Sequence, residues 1–186
     1  GPRQSGKTTL CKALFVNYQY VSLENPDQKE FAKSDPKGFL SKYNRNVIID
    51  EVQNVPELFS YIQGIVDENK ENGRYILTGS QNFLLLEKIG QTLAGRVYIH
   101  HLLPFSYTEL KEKYPIDLLS NIYKGGYPRI FDNEIEPSDF FPSYVQTYVE
   151  RDVRSMLNIK DLSLFNNFLK LCAGRIGQLF NASNIA

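Results

Sequence analysis

The chain opens with GPRQSGKTTL, and Gly1 to Thr8 satisfies G-x-x-x-x-G-K-[ST] at every fixed position. No other stretch constrains the fold as strongly. Glycines at both ends let the backbone wrap so that successive N–H groups face a phosphate, while Lys7 reaches the outer phosphates and the Thr8 hydroxyl ligates magnesium. A helix starting here aims its positive end at the same anion. The residues expected to contact nucleotide are therefore Gly1, Pro2, Arg3, Gln4, Ser5, Gly6, Lys7, Thr8 and Thr9. Such a loop hangs between a strand and a helix. The expectation is an α/β architecture with an apolar strand upstream of residue 1, or another segment in its place, because an empty central position would leave unpaired backbone groups.

Downstream of the loop the residues fit a parallel sheet. Thr8 to Val16 continues as a short helix, and YQYVSL has strand composition. Pro26, Asp27 and Pro36 are turn or helix-start signals. NVIIDE is an apolar β-branched run ending in acids, as a buried parallel strand would be. VPELFSYIQGIVDENKENG carries apolar residues at Leu58, Ile62, Ile65 and Val66 and reads as an amphipathic helix, and RYILTGS returns to strand. NFLLLEKIGQTLAG reads as helix, and RVYIHHLLP as a last strand stopped by Pro104. This alternation predicts an α/β parallel sheet flanked by helices over 1–104. The strand signal then fades, and 105–186 reads as a mostly helical domain, with a Gly-Gly break at Gly125 and Gly126.

The acids complete a chemistry that the loop alone does not supply. Asp50, at the carboxyl end of its strand, would hold the magnesium, and Glu51 beside it would polarise an attacking water as general base. Thr78, Ser80 and Gln81 end the next strand, where they either sense the outermost phosphate or position water, or serve only the turn. Arg96 begins the last expected strand, where it either stabilises charge on a transferred phosphoryl or is a solvated cation. His100 and His101 alternate faces and have no cysteine nearby, so a metal site there is not expected. Arg151, Arg154 and Arg175 either face nucleotide or a partner, or form ion pairs with acids such as Glu150 and Asp152.

Composition narrows the partners. Basic and acidic residues balance at 21 each, so no global field points to nucleic acid, a membrane surface or an acidic partner. No apolar run approaches the length of a membrane span. Cys11 and Cys172 have no partner spacing and read as free thiols of a reducing cytoplasm.

In order and spacing, GPRQSGKTTL, NVIIDEVQNVP, ILTGSQNFLL and LAGRVYIHHLLPFSYTEL resemble the bacterial and archaeal AAA-type ATP-binding proteins that open with GPRQxGKTT. GGYPRIF, SYVQTYVERDVRSML and LKLCAGRIGQLFNASNIA resemble the helical region that accompanies this ATPase. The resemblance implies an AAA+-like P-loop NTPase fold, with Walker A on Gly1 to Thr8, Walker B on Asp50 and Glu51, a sensor near Ser80 and the arginine of an L-x-G-R segment on Arg96. Ser5 departs from the valine usual there. In AAA+ ATPases an arginine near this point often serves the neighbouring subunit's nucleotide, so the resemblance allows a ring or dimer, a homo-oligomer with Arg96 acting in trans, and leaves open that Arg96 acts in cis. Family members usually continue into a winged-helix-like segment, so DNA enters as a partner only through regions beyond these residues. The leading expectation is a magnesium-dependent ATPase whose cycle drives a conformational change. The alternatives are a slow nucleotide-gated signalling switch and a DNA-binding ATPase.

Overall fold

The computed structural model describes residues 1–69, 71–80, 90, 92–149, 162–179 and 181. Helix α1 (Lys7–Leu14) extends from the opening loop and leads to strand β1 (Gln19–Ser22). Helices α2 (Pro26–Ser34) and α3 (Pro36–Lys42) come next, then strand β2 (Val47–Asp50), a 3-10 turn (Val52–Asn54), helix α4 (Leu58–Glu68) and strand β3 (Tyr75–Leu77). The three strands lie in the order β1-β2-β3, all parallel, with Ser22 opposite Asp50 and Ile49 opposite Leu77.

Local chemistry explains the boundaries. Asn25 and Asp35 cap α2 and α3, accepting bonds from the backbone N–H groups of Asp27, Gln28 and Gly38. Each cap precedes a proline at the first helical position, where its missing N–H costs nothing. The two proline signals thus start helices rather than turns. All four residues of β2 are buried, as a strand covered on both faces requires.

Alternation divides those residues between two layers. Val47 and Ile49 join the main core with Val21, Phe39, Leu40, Leu58, Phe59 and Ile62, which brings α3 and α4 onto one face. Ile48 and Asp50 point to the other face, and α1 packs against β2. Phe39 is fully buried, edge-on to Phe31 at 5.6 Å and 4.9 Å from the Tyr43 ring. Phe39→Ala should therefore cost about 3–5 kcal/mol in denaturant unfolding, through lost burial and the cavity left behind. A loss below about 1 kcal/mol would show that the core closes over the gap.

One expected strand does not form. Residues 97–103 pair with no strand, and β3 has no described neighbour on its far side. Strand composition does not suffice, because a strand exists through its ladder and this segment finds none among the described residues. Tyr98 is 90% exposed there, and Ile99 and Leu103 are exposed with it. The expected helix over NFLLLEKIGQTLAG lies largely outside the described residues.

Beyond Pro104 the described residues are helical, as expected. Helices span Tyr107–Lys113, opened by a reciprocal Ser106–Glu109 capping box, then Leu118–Lys124 and Pro128–Asp132. The chain divides into two compact units, Gly1–Pro137 and Ser138–Ala186. The second contains most of the helix Pro137–Tyr144, continuing as a π-helix over Val145–Val149, and the helix Leu162–Ala173. No described helix is long and apolar enough to cross a membrane.

Candidate functional site

The opening loop is shaped by two residues with left-handed backbone, Gln4 (φ 60°) and Gly6 (φ 89°). Gly6 is also the N-cap of α1 and offers no side-chain acceptor, so the first N–H groups of the helix are left for another partner. The buried Ser5 hydroxyl donates to the Pro2 carbonyl at 3.0 Å and curls the loop onto itself. At Gly1 a Cβ would collide with the Leu102 carbonyl oxygen, so the close approach of these two backbones admits only glycine. Lys7 folds back across the loop, its ammonium donating to the carbonyls of Gly1 (3.1 Å) and Pro2 (2.5 Å). Burial pulls the Lys7 pKa down, while the nearby charges of Glu51 and Asp50 push it back up.

Asp50 ends β2 as a buried carboxylate, and three elements converge on it. Its Oδ2 accepts from the Thr8 hydroxyl on α1 (3.0 Å) and the Tyr20 hydroxyl on β1 (2.8 Å). Its Oδ1 accepts from the Thr78 hydroxyl just after β3. The chain then turns sharply, because Glu51 adopts the left-handed region at φ 54° and ψ 45°. A non-glycine residue there stores about 1–3 kcal/mol of strain, which the surrounding bonds must hold. The Ser80 hydroxyl donates to the Glu51 carboxylate at 2.8 Å, and Gln53 Nε2 donates to it as well. Two acids adjacent in sequence are thus served by separate sets of donors.

The expected residues are partly gathered. Lys7 and Thr8 of the loop, Asp50, Glu51 and Ser80 form linked clusters. Thr9 is exposed on α1, and Arg3 lies 4.0 Å from Glu24. Arg96 stands apart in a two-point ion pair with Asp67 on α4, with Nε to Oδ1 at 2.5 Å and a second nitrogen to Oδ2 at 3.0 Å. That pairing holds the Asp67 carboxyl below its usual range. His100 and His101 are exposed, and the described residues contain no cluster of three or more metal-binding side chains. Gln81, Arg151 and Arg154 lie outside the described residues. Sequence reasoning missed Tyr20 and Gln53 altogether. The only available signal for Tyr20 was its place two residues before a strand end in a parallel sheet whose strand ends gather at a crevice.

The donor set beside the loop is wholly oxygen: a threonine hydroxyl on a buried carboxylate that two further hydroxyls orient. Hard oxygen donors of this kind fit magnesium. Residues 1–111 match a family described as an AAA domain.

The chain belongs to that AAA domain family.

An AAA domain implies nucleotide binding, which agrees with a loop whose helix N-terminus and lysine face the same side as the acids of β2. Residues 116–186 match a domain of unknown function (DUF8612). Uncharacterized proteins of Mycobacterium bovis and Mycobacterium tuberculosis are each 29% identical to the chain over 192 residues, covering all of it and 42% of their own length. The AAA domain chain thus spans well under half the length of these curated relatives. No solved structure matches it.

Proposed function

We propose that this AAA domain chain binds ATP with magnesium at the Gly1–Thr8 loop and hydrolyses it to ADP and phosphate, the cycle driving a conformational change. The observation that carries this reading is the juxtaposition at the end of β2: Asp50 is bonded to Thr8 of the loop, and the next residue, Glu51, is oriented by Ser80. In this role Gly1 to Thr8 is a Walker A loop, with Gly6 and the first N–H groups of α1 cradling phosphate and Lys7 leaving the Gly1 and Pro2 carbonyls for the outer phosphates. Thr8 and Asp50 hold the cation, which offsets phosphate charge when bound. Glu51 takes a proton from water as its oxygen bonds to the γ-phosphorus, and the bond from that phosphorus to the bridging oxygen breaks to release ADP. Ser80 keeps the Glu51 carboxylate aimed. Arg96 enters the chemistry in trans, leaving exposed Asp67 for the nucleotide of a neighbouring copy.

A second reading, a slow nucleotide-gated switch, is favoured by the grip of both Ser80 and Gln53 on Glu51. Tightly held nucleotide with negligible turnover would mark it. The deciding comparison is phosphate release from magnesium-ATP by the wild type and by Glu51→Gln. A wild type no faster than the variant would sink the hydrolytic reading.

A further inference from the structure

Tyr20 has no part in the phosphate chemistry described above, yet it is bonded to the central acid of the site. It sits on β1, two residues before Ser22, which lies opposite Asp50 in the parallel register. Strand alternation puts Tyr20 and Ser22 on one face of the sheet, the face against which α1 packs. From there the phenol leans along the strand and donates to Asp50 Oδ2 at 2.8 Å, while the Lys12 ammonium of α1 rests 3.4 Å from the centre of its ring. The side chain therefore ties together the loop helix, β1 and the acid of β2.

A carboxylate offers about four lone-pair directions, two on each oxygen. On Asp50, Thr8 and Tyr20 occupy both directions of Oδ2, and Thr78 takes one of Oδ1. Among the described residues no further donor takes the second direction of Oδ1. Without Tyr20 the carboxylate would have one bond on each oxygen and more freedom to rotate about its Cβ–Cγ axis.

We propose that Tyr20 is a positioning residue of the cation site, fixing the rotation of the Asp50 carboxylate so that one direction of Oδ1 faces a bound magnesium ion or its water. This rests on the nucleotide reading given above. The phenol is the donor in this bond and the Asp50 oxygen the acceptor. Partners that orient metal-binding groups from behind commonly set affinity by about 10–100-fold. A purely structural tyrosine would instead affect nucleotide binding equally with and without the metal.

That difference defines the test. The affinity of the purified protein for a fluorescent non-hydrolysable ATP analogue is measured in magnesium and in EDTA, for the wild type and Tyr20→Phe. The phenylalanine keeps the ring under Lys12 at a partly exposed position, and an unchanged unfolding midpoint checks that the fold is retained. The expected result is an affinity about tenfold weaker in magnesium and unchanged in EDTA. Equal shifts in both conditions, or no shift in either, would overturn the proposal while leaving nucleotide binding intact. A wild type that binds no analogue in either condition would remove the nucleotide reading itself, and this inference with it.

Discussion

Glu51→Gln is expected to bind ATP as the wild type does and to release phosphate on the order of a thousandfold more slowly, the size of effect a general base commonly contributes. The substitution keeps the shape of the side chain and an oxygen that accepts from Ser80, so the turn after β2 should persist. What it removes is the ability to take a proton. Asp50 cannot substitute, because three hydroxyls donate to its carboxylate and the direction that remains is the one assigned to the cation. Binding and turnover measured on the same preparation separate the outcomes. Retained binding with lost turnover places Glu51 in the chemical step, and unchanged turnover would remove it from that step.

Lys7→Ala should weaken nucleotide binding by about 3 kcal/mol, on the order of a hundredfold, since it deletes charged hydrogen bonds to phosphate in a partly buried site. The fold should survive this change. The ammonium is desolvated where it stands, as its lowered pKa reflects, and relief of that cost offsets the two bonds it makes to the Gly1 and Pro2 carbonyls. Titration with the same fluorescent analogue, beside an unfolding curve, reads both quantities. Unaltered affinity would mean that phosphate is held elsewhere.

The loop and the acids were legible in the sequence because their chemistry is local. A glycine-bounded turn before Lys-Thr and an apolar run ending in Asp-Glu are each written in consecutive residues, and β2 forms where the second was read. The starts of α2 and α3 were half legible: proline marked a boundary, but Asn25 and Asp35 as caps decided for helix. Less legible were features that depend on partners distant in sequence. Residues 97–103 have strand composition but no ladder among the described residues. Tyr20 reaches Asp50 only because β1 and β2 align Ser22 with that acid. Arg96 meets Asp67 through the placement of α4, and no spacing in the sequence announces it. The left-handed backbone at Glu51 is hidden for a similar reason, since tertiary bonds from Ser80 and Gln53 sustain a conformation that glutamate rarely adopts.

The central claim is that the Gly1–Thr8 loop and the end of β2 form one nucleotide and cation site. A crystal structure of the protein with magnesium and a non-hydrolysable ATP analogue tests it most directly. The expected result has the outer phosphates over Gly6 and Lys7, with the cation beside Thr8 and Asp50. Phosphates bound away from the loop, or a cation held by other side chains, would contradict it.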